Sequence, residues 1–191
     1  MILGITGGSG CGKTTLLRLI GEAGGLILDC DAIYHELLRR DEAMLSAISR
    51  RFPGTVTDGV LDRKKLGALV FSHEDALRDL NAITHSAVQR EVLHRLESSS
   101  GLAAIDAIAL LESGLGELCD VTVAVTAPEE ARIRRLVARD GISPDYARSR
   151  IAAQKDPSWF CQNCDYVLEN DRDAEAFHGK CIAFLRNLGI M

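Results

Sequence analysis

The chain has no excess of positive charge, no apolar run of membrane-spanning length, too few cysteines for a disulfide scaffold, and no internal repeat or low-complexity tract. Each absence closes off a class. With 22 Lys and Arg against 27 Asp and Glu, the net charge is −5. The broad basic surface that non-specific nucleic-acid binding needs is therefore missing, and no nucleic-acid partner is expected. The longest apolar stretches, around Gly101–Leu111 and Val121–Val125, are far short of a spanning helix, and Asp106 interrupts the first, so no membrane partner is expected. The N-terminus shows no basic region and no cleavage site before an apolar run at Ile2–Thr6, which predicts a cytoplasmic protein. Cys11, Cys30, Cys119, Cys161, Cys164 and Cys181 are too sparse for a disulfide framework and are expected to stay reduced in that compartment. What remains is an ordinary globular composition, 47% apolar and 26% charged over 191 residues, enough for one domain with a sizeable core or one core with small inserted subdomains.

Strand and helix patterns alternate along the chain. Short, almost continuously apolar runs at Ile2–Thr6, Leu26–Asp29, Leu102–Asp106, Val121–Thr126 and Tyr166–Glu169 have strand length and suit buried strands of a parallel sheet. Helical periodicity fills the intervals: Leu16, Leu17, Leu19 and Ile20 mark one helix, Ile133, Leu136 and Val137 another, and Phe177, Ile182, Phe184, Leu185 and Leu188 the last. This alternation predicts right-handed βαβ units in an open α/β sheet. Between Asp31 and Gly101 only helical patterns appear, roughly Ala32–Arg39, Glu42–Arg51, Arg63–Phe71 and Glu74–Leu96, with Pro53-Gly54 and Asp58-Gly59 as turns. They read as a helical subdomain inserted after the second strand. Ser98–Gly101 is a short loop before the next strand, and a smaller arginine-rich excursion runs from about Arg139 to Lys155.

The strongest signal is Gly7-Gly8-Ser9-Gly10-Cys11-Gly12-Lys13-Thr14, which fits G-x-x-x-x-G-K-[ST] without a mismatch between a strand and a helix. Its glycines let backbone N–H groups wrap phosphates, and the helix that follows adds its positive end. Lys13 reaches the β- and γ-phosphates, and the Thr14 hydroxyl binds Mg²⁺. The motif specifies a purine nucleoside triphosphate and Mg²⁺, not what is done with them. There is no guanine-reading N-K-x-D and no apolar strand ending in Asp-Glu. A short chain with a helical insertion and an arginine-rich segment suits a small-molecule kinase with a core, an acceptor domain and a closing lid.

Asp29-Cys30-Asp31 stands at the end of the second strand, where a parallel sheet places its ligands. A carboxylate there can take the proton of an acceptor hydroxyl; equally, Asp31 can be a helix N-cap. Asp106 ends the third strand, where it can hold a Mg²⁺-bound water or be a satisfied strand-end carboxylate. Arg132, Arg135 and Arg139 share one helical face opposite Ile133, Leu136 and Val137; a solvated amphipathic face accounts for Arg132 and Arg135. Arg139, at the helix end before an Asp-Gly turn, can swing over the phosphates. Arg150 and Gln154, spaced i,i+4, are expected to reach one ligand edge.

These residues resemble the dephospho-CoA kinase family along nearly the whole chain. Gly4-Ile5-Thr6-Gly7-Gly8 with Gly10 through Thr15 is similar to that family's P-loop, and Asp29-Cys30-Asp31 to its Asp-Ala-Asp motif. Gly59-Val60-Leu61-Asp62-Arg63 through Phe71, Asp106 through Leu115, Arg139 through Gln154, and Asn170-Asp171 resemble its acceptor signature, its Asp-x-Pro-Leu-Leu-Phe-Glu segment, its lid and its final Asn. Ile108 replaces a usual Pro, Leu111 a usual Phe, Ser86 a common Pro, and Cys30 the Ala. The resemblance implies an α/β P-loop kinase fold: a five-stranded parallel sheet flanked by helices (core 1–31, 101–138 and 156–191), an acceptor-binding subdomain at 32–100 and a lid at 139–155. It implies transfer of the γ-phosphate of ATP to the ribose 3′-hydroxyl of dephospho-CoA, with Mg²⁺. Asp31 is then the expected base, with Lys13 and Arg139 beside it in catalysis. Gly8, Ser9, Gly10, Cys11, Gly12, Lys13, Thr14, Thr15, Arg150 and Asn170 are expected to hold ATP, Asn170 bordering adenine. Asp31, Arg63, His85 and Asp106 are expected at the acceptor, although His85 suits a packed structural role equally, and Thr14 and Asp106 at the metal.

Two rival readings are a kinase for another nucleoside or nucleotide and a non-catalytic nucleotide-binding protein. Leu61-Asp62-Arg63 and the Asp29/Asp31 pair speak against the first, and intact Lys13, Thr14 and Asp31 against the second. Cys161-x-x-Cys164 followed by His178-x-x-Cys181 has the spacing of a structural zinc site, or it is four residues of a reduced protein with Cys181 packed in the core.

Overall fold

The computed structural model describes residues 1–99 and 101–191; Ser100, in the loop expected at Ser98–Gly101, lies outside the described residues. In chain order the elements are β1 (Ile2–Thr6), α1 (Lys13–Glu22), β2 (Leu26–Asp29), α2 (Cys30–Arg40), α3 (Glu42–Arg51), β3 (Val56–Thr57), β4 (Val60–Leu61), α4 (Arg63–Val70) and α5 (Glu74–Glu97). There follow β5 (Ala103–Asp106), a 3₁₀ turn (Leu115–Leu118), β6 (Val121–Thr126), α6 (Glu129–Asp140), α7 (Pro144–Ala152), α8 (Pro157–Asn163), β7 (Tyr166–Glu169) and α9 (Ala174–Asn187). They divide into two compact units, Met1–Leu28 with Ser99–Met191, and Asp29–Ser98.

The first unit is built on a five-stranded parallel sheet in the order β2-β5-β1-β6-β7. The apolar run Ile2–Thr6 is buried along nearly its whole length, which is why it sits at the centre of the sheet rather than at an edge. Register brings the carboxyl ends of the strands together: Ile5 pairs with Asp106 on one side of β1 and Thr6 with Ala124 on the other. Leu16, Leu17, Leu19 and Ile20 of α1 pack with Phe177, Cys181, Phe184 and Leu185 of α9 against Leu3, Ile5, Val123 and Val125 of the sheet. This core anchors α1 and therefore the loop that opens it. A smaller core, Ile133 and Leu136 of α6 with Ala147 and Ile151 of α7, fixes the arginine-rich segment as two packed helices joined at Gly141.

The second unit is mostly helical, and α2, α3 and α4 start where aspartates cap them, while α5 starts after His73 without a side-chain cap. Asp29, Asp41 and Asp62 accept from the amides of Ala32, Met44 and Lys65 at 3.0, 2.9 and 2.9 Å. The long α5 is tied to α2 by Arg95–Glu36 and Arg40–Glu91 ion pairs of 2.6 and 2.7 Å.

Three local outcomes differ from the sequence reading. The insertion contains a hairpin, β3 with β4, around the expected turn, with Asp58 at φ 50° and Gly59 at φ 75°. Strands of two residues are too short to show alternation. The strand expected from Leu102 begins at Ala103. Pro157–Asn163, too short to show helical periodicity in sequence, is a helix capped by Asp156 with Pro157 in its first turn.

At the start of β7, Asp165 Oδ2 accepts from the backbone N and the hydroxyl of Thr122 at 2.8 and 2.7 Å, and Thr122 Oγ1 accepts in return from the Asp165 amide at 3.0 Å. The backbone and side-chain bonds from Thr122 hold the Asp165 carboxyl below the usual carboxylate range. A depressed folded pKa gives stability that is complete above the unfolded value, near about 3.9, and lost as pH falls through the folded one. Asp165→Ala is expected to cost about 1–2 kcal/mol at neutral pH. The difference from the parent should shrink below about pH 4. Urea melts across pH check this, and equal midpoints at pH 7 would refute the pinning of β7 to β6.

Candidate active site

The loop from Gly7 to Thr14 leaves β1 and enters α1. Three side chains hold it from behind by its carbonyls. Arg132 Nε donates to Ser9 O at 3.0 Å, Arg135 Nη1 to Gly10 O at 3.1 Å, and Asn170 Nδ2 to Cys11 O at 2.8 Å. Cys11 N closes a turn onto Gly8 O at 3.2 Å. No acceptor among the described residues takes the amides of Gly10, Gly12, Lys13 or Thr14. Carbonyls engaged behind, with amides unclaimed, are the polarity an anion cradle requires. Gly12, at φ 100°, turns the loop into α1 in the left-handed region, and a Cβ there would strike Asn170 Nδ2. Burial pushes the Cys11 thiol up, so it stays protonated inside the loop.

Lys13 Nζ donates to Gly7 O at 3.0 Å and lies 3.8 Å from Asp106 Oδ1. The lysine and the strand-end carboxylate are thus brought together, as the order β5-β1 dictates. Thr14 is exposed in the first turn of α1. Among the described residues no group of three or more His, Cys, Asp or Glu is placed to hold a metal ion. A hydroxyl and one carboxylate suit Mg²⁺, which keeps several waters and takes the rest of its ligands from phosphates.

The arginines are deployed differently from the sequence expectation. Arg132 is 4% exposed and faces the loop, so it is not on a solvated face. Arg135 joins it there, while Arg139 is 63% exposed in its side chain and pairs with its neighbour Asp140 at 2.7 Å. Arg150 reaches the same Asp140 at 2.8 Å. Hydrogen bonds from Arg139 and then from Arg150 draw the Asp140 carboxyl down to about 2. Gln154 does not share an edge with Arg150. The helix α7 ends at Ala152, so the i,i+4 relation does not apply, and Gln154 turns to the loop instead: its Oε1 accepts from Ser9 N at 2.9 Å. The signal for Arg132 and Arg135 was their i,i+3 spacing on the face that carries Arg139, which a charge-only reading assigns to water.

Beside the loop, a cleft of about 340 Å³ is lined by Pro128, Arg134, Arg135, Asn170, Asp171 and Arg172 among others. Asn170 is 5% exposed, and its Oδ1 is buried with no hydrogen-bond partner among the described residues.

Within the second unit, Asp29 and not Asp31 caps α2. Asp31 is exposed in the first helical turn, released from the capping role that competed with its functional reading. Arg63 opens α4 with Nη2 3.3 Å from His35 Nδ1. Burial raises the Tyr34 hydroxyl, with the Arg63 charge acting against it. His85 is half-buried on α5. The zinc spacing does not converge: Cys181 is buried in the main core, whereas Cys161 is exposed on α8.

Asn170→Ala removes the donor on Cys11 O. It is expected to lower stability by about 1–3 kcal/mol and to weaken ATP binding roughly tenfold. Thermal melts and calorimetry check it; unchanged ATP affinity would show that the loop does not depend on this tie.

Comparison with known proteins agrees with this geometry. The family model described as dephospho-CoA kinase matches residues 1–176. A dephospho-CoA kinase of Anaeromyxobacter dehalogenans is 38% identical over 193 residues, covering 98% of this chain and 92% of that protein. One of Deinococcus radiodurans is 37% identical over 192 residues, with the same shares of 98% and 92%. A solved Thermus thermophilus structure superposes with a TM-score of 0.82 at 34% identity, over 98% of this chain and 97% of that one. The fold is also that of a Campylobacter jejuni dephospho-CoA kinase, TM-score 0.70 at 22% identity over 100% and 98% of the two chains. With a family match over residues 1–176 and full-length relatives well above 30% identity, the chain belongs to the dephospho-CoA kinase family.

Proposed function

We propose that this chain, a dephospho-CoA kinase and so an ATP-dependent phosphotransferase, uses Asp31 as the general base that takes the proton of the ribose 3′-hydroxyl of dephospho-CoA. The observation that carries the reading is the loop whose carbonyls are tied back to Arg132, Arg135 and Asn170 while the amides of Gly10, Gly12, Lys13 and Thr14 stay available. A triphosphate laid in that loop meets backbone N–H groups and Lys13, and the positive end of α1 adds to the attraction. Thr14 and Asp106 would hold Mg²⁺, which supplies charge neutralisation on the phosphates. Adenine enters the cleft beside Asn170, whose buried Oδ1 suits an N–H donor of the base.

Phosphoryl transfer asks the protein mainly for alignment and for cations near the developing charge. Arg139 is the candidate for the second task. It is exposed, and its partner Asp140 is shared with Arg150, so exchanging that carboxylate for a phosphate leaves Asp140 still paired. Arg150 keeps Asp140 in that exchange and so serves nucleotide binding by freeing Arg139. Arg63 and His85 serve the acceptor in the Asp29–Ser98 unit, where Arg63 supplies an exposed guanidinium for an anionic group. No helix among the described residues is long and apolar enough to cross a membrane, which is compatible with work in the cytoplasm.

The test is ATP-dependent conversion of dephospho-CoA to coenzyme A by the parent and by Asp31→Asn, with a panel of nucleosides as alternative acceptors. The parent is expected to phosphorylate dephospho-CoA in preference to the panel. Asp31→Asn is expected to lose about 10²–10⁴-fold in kcat while its ATP affinity changes less than about threefold. Phosphorylation of a nucleoside with dephospho-CoA inert would overturn the acceptor, and full turnover by Asp31→Asn would overturn the base.

A further inference from the structure

Arg132 is a buried cation without a carboxylate. It is 4% exposed, and no Asp or Glu among the described residues pairs with it. Its partners are neutral: Ser9 O on Nε at 3.0 Å, and Gln154 Oε1 on Nη2 at 2.7 Å. The Cys11 thiol lies within its field, but burial keeps that group protonated. A guanidinium buried among neutral acceptors is costly unless an anion comes to it. The anion this loop is built to receive is a phosphate.

Gln154 stands where such an anion would be bound. Its Oε1 accepts from two donors at once, Arg132 Nη2 at 2.7 Å and the loop amide Ser9 N at 2.9 Å. Its Nε2 donates to Ser9 Oγ at 2.8 Å. A guanidinium N–H and a backbone N–H converging on one oxygen is the arrangement that holds a phosphate oxygen. Gly8 leaves room for it, since a Cβ there would press on both Arg132 Nη2 and Gln154 Oε1. Gln154 lies two residues beyond the end of α7, which packs on α6 through the cluster of Ile133, Leu136, Ala147 and Ile151.

We propose that Gln154 is a phosphate surrogate: in the nucleotide-free protein its carboxamide oxygen takes the donors of Ser9 and Arg132, and the phosphate chain of the nucleotide must displace it to bind. Gln154 thus sets phosphate affinity by competition, and its release couples phosphate arrival to the segment after α7. The inference rests on the reading of the loop as the ATP cradle and extends it to a residue that opposes binding.

Two substitutions should move affinity in opposite directions. Gln154→Ala removes the competitor and leaves Arg132 Nη2 without its acceptor, so ATP is expected to bind roughly threefold to tenfold tighter. The free protein should melt lower. Gln154→Glu places a carboxylate on the buried guanidinium, so the free protein should melt higher and ATP should bind at least about tenfold more weakly. Gln154→Met, which keeps the volume and drops the acceptor, should follow Gln154→Ala if the smaller side chain perturbs folding. Adenosine, which carries no phosphate, should bind all four proteins alike. Calorimetry on the full chain with ATP and with adenosine, beside thermal melts without ligand, reads all of this. Weaker ATP binding in Gln154→Ala and Gln154→Met would mean that Gln154 contacts the bound nucleotide, and would overturn the proposal, as would equal ATP affinity in every variant. A parent that binds no ATP defeats the cradle reading and this inference with it. A parent that binds ATP without the split between variants defeats this inference alone.

Discussion

Three hydrogen bonds to the outside of one loop govern the rest of this structure. Arg132, Arg135 and Asn170 engage the carbonyls of Ser9, Gly10 and Cys11, and by doing so they fix which way the peptide planes of the loop face. A glycine-rich segment left alone would sample many conformations, and ordering each residue costs about 1–2 kcal/mol of backbone entropy. Here the cost is met on folding, by side chains that belong to α6 and to the residue after β7. The cradle therefore exists before any phosphate reaches it, and binding energy is not consumed in building it.

The sheet order explains why those side chains are available. The central strand β1 delivers the loop, β6 on one side leads into α6 with Arg132 and Arg135, and β7 beyond it leads to Asn170, whose backbone N–H donates to Thr126 O at 2.8 Å. On the other side β5 ends at Asp106, level with Ile5 and within reach of Lys13. Cationic and amide donors thus come from one flank of β1 and the carboxylate from the opposite flank, with the loop between them. The buried face shared by α1 and α9 carries no chemistry, but it sets the angle at which α1 leaves the loop and so aims its positive end.

Much of this was legible in the sequence because it depends on local pattern. The continuous apolarity of Ile2–Thr6 and Val121–Thr126, the eight-residue glycine motif and the alternation of strand and helix are all short-range signals, and the strands they mark are found at those positions. What was not legible depends on long-range burial. A helical-wheel argument assigns Arg132 to water, because it weighs charge and not the glycines that the helix meets 120 residues earlier in the chain; the structure buries it against Ser9. The pairing of Gln154 with Arg150 assumed that the helix continued, and it stops at Ala152. Asp31 suits a base and a cap of α2 equally in sequence, and only the placed backbone shows that Asp29 caps the helix and leaves Asp31 exposed. The Cys-Cys-His-Cys spacing looked like a metal site because spacing carries no information about which cysteine the core absorbs.

The central claim is that the loop is organised in advance with its amides left for phosphate. An amide-resolved NMR titration of the ¹⁵N-labelled chain with ATP tests it most directly. The account predicts that in the free protein the amides of Gly10, Gly12, Lys13 and Thr14 exchange readily with solvent, and that ATP moves and protects them while those of β1 stay where they were. Loop amides already protected without nucleotide and indifferent to ATP, or a β1 that rearranges along with the loop, would contradict it.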